Sequence, residues 1–419
     1  MMNVTIRSWC AALLILAALA LTGSIVAVWP DTGSGGPSYL FVWAGDEDGK
    51  DSDFLAVVNV NPAEDTYGSV VATLPVAAVA TMPHHTEYEY PPNDTLFANG
   101  WVAGRTFLID LHDPLHPKLA GTFGERLGYR FPHSFARLPG GSVLATFQSF
   151  GEAYAPGGGL VEIDASGAGV RSASAQTTDA DSALIWPYSL AALPHLDRVV
   201  STNSDMGMPP WDKWSYHDTY HVQIWSLSDL ALLHTVALPK SPTGTHHIAP
   251  NEPRVLADGS VYVNTFSCGL YLLDGVETAN PKANLVHTFP GGVPLESECF
   301  VPVVFGKYWI QTVPALPGLV ALDVSEPKKP VEASRLVLSD HYPMPHWLAA
   351  DRSTGRLVVT GADMSWVLIV RFDDQSGAMT IDESFREKGS EMAGIDFGRD
   401  VWPHGATGPA FVHGALFGP

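Results

Sequence analysis

Cysteine is nearly absent from this chain, with three in 419 residues. Cys10 lies in an apolar N-terminal stretch, so only Cys268 and Cys299 remain to pair, and one bond is no disulfide scaffold. An apolar core must therefore hold the fold. The sequence leaves a Cys268–Cys299 bond and two separate buried thiols equally open. Basic residues are scarce too: 23 Lys and Arg stand against 44 Asp and Glu, a net charge of −21, with no basic cluster anywhere. That balance repels phosphate backbones and anionic lipid surfaces, which excludes nucleic acid as a partner and leaves an N-terminal anchor as the one route to a membrane. Charged residues are only 16% and hydrophobic ones 46%, a composition that excludes disorder. Long helical periodicity is also missing, while Gly (39) and Pro (33) are plentiful, as an architecture of turns requires.

The one extended apolar run is at the N-terminus. Met1–Arg7 carries one positive residue, Ser8–Gly23 is rich in Ala and Leu, and small residues follow through Ala27. This is a secretory leader pattern over 1–28, followed by a linker over 29–37, and it places the rest of the chain in the periplasm or outside the cell. Because apolar character continues to Val28, an uncleaved anchor with the domain outside the cytoplasm is the alternative.

The remainder repeats. Strand-like runs occur at Phe54–Val60, Thr106–Asp110, Gly159–Asp164, His221–Leu227, Gly269–Asp274, Gly318–Val324 and Trp366–Phe372. Their spacing of about 50 residues is that of a repeat array with one small sheet per unit. The units carry an earlier hairpin, with a Gly-containing turn in Arg137–Ser149, Arg254–Ser267 and Arg352–Gly361, and a turn and a further strand follow each run. The order predicts an all-β, seven-bladed propeller over 38–419, the arrangement that closes strand edges by radial repetition. Ser38–Ala44 lacks a preceding inner strand and Phe411–Phe417 lacks partners, so the two ends are expected to complete one blade together.

The hairpin turns serve as a ruler for what lines the axis. His133 lies eight residues before Gly141, His85 nine before Asp94, His346 nine before Gly355, and His247 twelve before Gly259. Tyr188 and Glu298 take the corresponding places in the units between, and His404 in the last. Most stand in a Pro-containing theme: MPHH at Met82–His85, FPHS at Phe131–Ser134, WPY at Trp186–Tyr188, MPHW at Met344–Trp347 and WPHG at Trp402–Gly405. Pro stiffens the entry to the strand. Imidazoles converging at one mouth of the channel are the donor set of copper, iron or zinc. The expected ligands are His85, His133, His247 and His346, with His404 as a fifth. His84 and His246 precede better candidates and, by strand alternation, face away from them. Glu298 and Tyr188 are the expected catalytic residues, Glu298 as the carboxylate that orients an imidazole or accepts a proton; Glu87, Glu89 and Asp181 are further acids near the same mouth. Binding is expected to weaken below about pH 6, where free imidazoles protonate.

Asp53–Pro62 with Tyr67–Pro75, the His84–His85 pair, His133 ahead of its turn glycine, Tyr188, the Leu319–Pro330 turn and His404 together resemble the selenium-binding protein family, whose bacterial members include periplasmic methanethiol oxidases. The resemblance implies a His-lined copper site and oxidation of a small substrate, a thiol. The chain departs from the pattern in lacking the Cys-rich N-terminal segment and the Cys-x-x-Cys after the paired histidines, and in having His346 in place of the usual Gln. Two other functions stay open. A four-His site on a propeller also resembles the iron centre of carotenoid-cleaving dioxygenases. A non-enzymatic interaction propeller of the cell envelope is the third, with Trp211–His221 as a lid or partner surface.

Overall fold

The computed structural model describes residues 36, 38–177, 184–208, 217–291 and 298–419. The leader expected over 1–28, most of the 29–37 linker, Asp181 and residues 211–216 of the aromatic insertion lie outside that set. Among the described residues no helix is long and apolar enough to cross a membrane.

Seven antiparallel sheets make a seven-bladed β-propeller. Blades 2 to 7 run outward in chain order, and their innermost strands are Pro83–Thr86, Tyr129–Arg137, Pro187–Leu193, Pro250–Val255, Val303–Phe305 and Pro345–Asp351. Each of the seven repeating runs of the sequence is the third strand from the axis, for example Arg105–Asp110 in blade 2. These strands are buried on both faces, which is why they read as unbroken apolar stretches.

Blade 1 is built from both ends. Ala410–Gly418 is its innermost strand and pairs antiparallel with Tyr39–Asp46, from Tyr39 opposite Gly418 to Asp46 opposite Ala410. Beyond these lie Ser52–Asn59 and Val70–Val79. Val412, Ala415 and Phe417 belong to one apolar cluster with Val42, Val58, Val358 and Ile369, so the last strand packs into blades 1 and 7 together. Gly414 is required there: a Cβ would meet His84 O at 3.0 Å and Thr86 N at 3.1 Å.

Cys268 and Cys299 are bonded. Both are fully buried and share a cluster with Trp309, Leu270 and Leu322, so the bond ties the approach to blade 6 onto blade 5. Thiol titration of the unfolded chain without reductant should therefore find neither of them. With a sequence separation of 31, the bond should contribute about 2–4 kcal/mol, read as the drop in unfolding free energy on adding reductant.

Candidate metal centre

A polar side chain on the second strand of one blade reaches the innermost strand of the next, or in blade 6 the segment leading into it, at six of the seven blade boundaries. Asn99 Nδ2 donates to His133 O at 3.0 Å, Thr146 Oγ1 to Tyr188 O at 2.7 Å, and Thr202 Oγ1 to Asn251 O at 2.5 Å. Asn264 Nδ2 donates to Phe300 O at 2.8 Å, Thr312 Oγ1 to His346 O at 3.1 Å, and Thr360 Oγ1 to His413 O at 2.5 Å. Four of these clamps also accept from their own blade, at His85 N, Ser134 N, Ser189 N and Glu252 N. Such doubly used, buried groups are costly to remove, because each loss strands its partners without water.

The clamped carbonyls identify equivalent residues in six blades, and His84 takes the same place in blade 2, because His85 N bonds to Asn99 as Ser134 N bonds to Thr146. Going round, these are His413, His84, His133, Tyr188, Asn251, Phe300 and His346. Backbone conformation agrees. Met82, Phe131, Ala249 and Met344 all have φ between 53° and 60°, and each is followed by Pro and then by a ring residue. A left-handed residue that is not Gly costs about 1–2 kcal/mol. Together with the fixed φ of Pro it sets the angle at which the chain enters the innermost strand.

Ring neighbours touch. Centroids are 4.2 Å apart for His346 and His413, 4.1 Å for His413 and His84, 4.9 Å for His84 and His133, and 4.0 Å for His133 and Tyr188. Phe300 packs on His346 at 4.5 Å. The next level down holds His85, Ser134, Ser189, Glu252 and Trp347. His85 stacks on His84 at 4.5 Å and lies 4.3 Å from His133. All five histidines are at least 95% buried. Nitrogen atoms of His84, His85 and His133 lie within 4.8 Å of one another, and the Nε2 atoms of His84 and His133 are 3.0 Å apart.

Hydrogen bonds fix several rings. His133 Nδ1 donates to the carbonyl of Tyr188 at 2.8 Å, so in the neutral ring Nε2 carries a lone pair aimed at His84. His413 Nδ1 faces the Asp363 carboxylate at 3.3 Å, which likewise leaves Nε2 as the acceptor. His85 Nδ1 is 2.9 Å from Ser134 Oγ. His84 Nδ1, His85 Nε2, His346 Nδ1 and His413 Nε2 are buried without a hydrogen-bond partner in the protein. Buried polar atoms are normally satisfied, so several such nitrogens in one cluster are what a shared ligand would satisfy. A nitrogen-rich donor set of this kind suits copper, iron or zinc.

The structure brings His85, His133, His346 and Tyr188 together, as the sequence predicts, and adds His84 and His413. Strand alternation fails for the His84–His85 pair because pairing with the second strand shifts register between Pro83 and Thr86. The same shift recurs between Pro132 and Phe135 and between Pro187 and Leu190. A bulge inserts a residue and lets two successive side chains turn to the same side.

His247 is not in the ring. It lies in the loop before blade 5, with Nδ1 on Ser267 O at 2.8 Å. Asn251 holds the ring position, eight residues before Gly259, the same spacing as His133 from Gly141. His404 lies at the outer edge of blade 1, with Nδ1 2.8 Å from Thr73 Oγ1 and its ring on Phe54. Glu298 is half-buried, two residues ahead of the ring residue Phe300, and burial pushes its carboxyl up to about 7. Glu87 is tied to Arg137 and Glu89 to Arg352.

Sequence reasoning missed His413 and Glu252. Glu252 is fully buried, accepts from Ser189 Oγ at 2.5 Å and pairs with Arg254 at 2.7 Å, and its other oxygen lies 4.0 Å from His85 Nδ1. Arg254 in turn covers the Tyr88 ring at 4.1 Å. Arg254 also lines a cavity of about 320 Å³ among the innermost strands, whose walls include Leu190, Val303 and Leu348.

Burial holds the imidazoles neutral. His133 is lowered to about 3, mainly by burial, and His84, His85 and His346 fall well below 6.5, by burial first and then by neighbouring imidazoles. These four imidazoles therefore stay unprotonated well below the pH 6 expected from free imidazole. The cost falls on folding instead. In the unfolded chain these groups protonate near 6.5, so the folded state loses stability as pH falls below that value and continues to lose it towards the lowered values. Each group contributes up to about 1.4 kcal/mol per pH unit in that window. Thermal melts of the metal-free protein should show a clear fall in Tm from pH 7 to pH 5; a flat profile would mean the rings are not buried neutral.

No protein-family model matches the chain. It is similar to a methanethiol oxidase of Hyphomicrobium sp., 38% identical over 120 residues, and to selenium-binding protein 2 of Arabidopsis thaliana, 29% identical over 127 residues. The first match spans 26% of this chain and the second 27%, and each spans 26% of its relative. Among solved structures, a hypothetical selenium-binding protein from Sulfolobus tokodaii superposes with a TM-score of 0.72 at 17% identity, over 92% of this chain and 94% of the other. A periplasmic gluconolactonase from Pseudomonas aeruginosa gives 0.57 at 14% identity, over 85% and 97%. At these identities the structural likeness speaks to the fold alone.

Proposed function

Taking the chain as a divergent member of the selenium-binding protein and methanethiol oxidase family, we propose that it is an exported oxidase-like propeller. Its axial histidines hold a transition metal, copper before iron, and it acts on a small substrate, a thiol by analogy with the methanethiol oxidase it resembles. The observation that carries this reading is the set of buried imidazole nitrogens without protein partners on His84, His85, His346 and His413. His133 joins them, since its Nε2 lone pair faces His84. Bound copper supplies one-electron redox chemistry towards oxygen and substrate.

The chain's own groups do the rest. The Tyr188 carbonyl and Asp363 hold His133 and His413 in the ligating tautomer. Tyr188 and Phe300 complete the ring on the side away from the histidines and keep bulk water from it. Glu298, near neutrality because it is buried, takes the proton a thiol must lose. The test is elemental analysis of protein purified without a His tag, followed by oxygen uptake with small thiols. Copper bound to the chain and thiol-dependent uptake are the expected results. Iron in place of copper would turn the reading to a dioxygenase. No transition metal and no uptake would leave an interaction propeller.

A further inference from the structure

Beyond the histidine ring, aromatic side chains continue towards the surface in single file. Trp101, 1% exposed, has its ring 5.6 Å from His133 and 6.4 Å from His84. Tyr154 is 5.9 Å from Trp101. Trp186 is 6.4 Å from Tyr154, and His217 stacks on Trp186 at 5.0 Å. The His217 side chain is 48% exposed, so the file leads from a buried centre to solvent.

The stations differ in one respect that matters for electron transfer. The indole N–H groups of Trp101 and Trp186 are buried and have no acceptor. An indole oxidised there keeps its proton and stays a strong oxidant of its neighbour. Tyr154 does have an acceptor. Its hydroxyl lies 2.8 Å from Asp205 Oδ1 and 2.7 Å from Gln148 Oε1, and its oxygen accepts from Met206 N and Gly207 N at 3.0 and 3.2 Å. Asp205, 3% exposed, turns its second oxygen to His217 Nδ1 at 2.7 Å. A phenol on a buried carboxylate that is itself bonded to an exposed imidazole is a proton path as well as an electron station.

We propose that Trp101, Tyr154 and Trp186 form an electron relay between the histidine ring and the surface at His217, with Tyr154 as its proton-coupled station. The relay rests on the reading of the ring as a redox centre. Trp101 gives one electron to a one-electron oxidant held at the ring and is refilled by Tyr154. As Tyr154 gives up that electron, its O–H bond breaks and the proton passes to Asp205 Oδ1, leaving a neutral phenoxyl radical. An electron from a one-electron reductant in solution, entering through Trp186, and return of the proton from Asp205 restore the phenol. One electron and one proton leave Tyr154 and one of each comes back.

The test uses the full chain and two oxidants. With one equivalent of copper, the cupric EPR spectrum reports first whether the protein holds the ion; its absence overturns the metal reading and leaves the relay to be judged by the second oxidant. Hydrogen peroxide added to the copper protein should then give a tyrosyl radical signal. That signal should be at least about tenfold weaker in Tyr154→Phe and in Asp205→Asn, since both remove the proton transfer. The second oxidant, a ruthenium(III) trisbipyridyl complex made by a light flash, needs no metal at the ring. Peptide mass mapping should then find Trp101 spared in the wild type and oxidised several-fold more in Tyr154→Phe. Tyr90→Phe, which removes another tyrosine donating to a carboxylate, should change neither readout. Trp186→Phe, which keeps an aromatic ring in place, should slow reduction of the radical by ascorbate several-fold. If Tyr154→Phe matches the wild type in radical yield and in Trp101 oxidation, the relay does not exist.

Discussion

Removing Ala410–Pro419 should abolish the cooperative thermal transition and leave an aggregating chain. The deleted strand is the innermost of blade 1, and without it Tyr39–Asp46 becomes an uncovered inner edge. Val412, Leu416 and Phe417 are buried by it, and three such side chains contribute roughly 5–9 kcal/mol in total. That is of the same order as the whole stability of a typical domain, about 5–15 kcal/mol. The loss also strands groups on the neighbouring blade. Thr360 Oγ1 would lose His413 O, and Trp347 Nε1 would lose Ala415 O, both within a dry interior. A truncated protein that melts like the full chain would show that the ring does not need this strand.

The second large effect concerns the histidines one at a time. His84→Ala, His133→Ala, His346→Ala and His413→Ala should each weaken copper binding by more than about 100-fold, since even groups that only orient a ligand cost 10–100-fold. His247→Ala, His404→Ala and His195→Ala should leave affinity within about twofold, because the first two side chains lie off the ring and His195 is exposed in the turn after Pro187–Leu193. Competition against a chelator of known affinity reads both sets, with thermal melts run beside it to separate lost ligands from lost fold. The two residues that distinguish the ring from a simple count of turns are His413 and His247. Retained binding in His413→Ala together with loss in His247→Ala would reverse the assignment.

The propeller was legible in the sequence because its third strands are buried on both faces and so repeat as apolar runs whatever else changes around them. The shared blade was legible because Ser38–Ala44 and Phe411–Phe417 each lacked partners. The ring was only partly legible, and for reasons in the chain. Counting back from a hairpin turn works where a turn follows the innermost strand, as for His133 and His346. No such turn follows His413 within Ala410–Gly418, and His413 also lacks the Pro that precedes His84, His133, Tyr188, Asn251 and His346. In blade 5 the ring position is Asn251, and the only imidazoles near it in sequence, His246 and His247, lie in the preceding loop. Alternation alone turns His84 away from the ring, and a bulged strand does not obey that rule. The proton acceptor Asp205 and its partners Tyr154 and His217 come from segments far apart in sequence, and no spacing rule joins them.

The clamps between blades grip carbonyl oxygens, and a carbonyl is the same in every amino acid. Asn99, Thr146, Thr202, Asn264, Thr312 and Thr360 thus hold His, Tyr, Asn and Phe alike at equivalent heights. The fold is written in the second strands and the chemistry in the side chains of the first, and the two inheritances are separable. One axis can therefore exchange a histidine for a carboxamide or a ring, blade by blade, and pass through a series of donor sets without having to refold on the way.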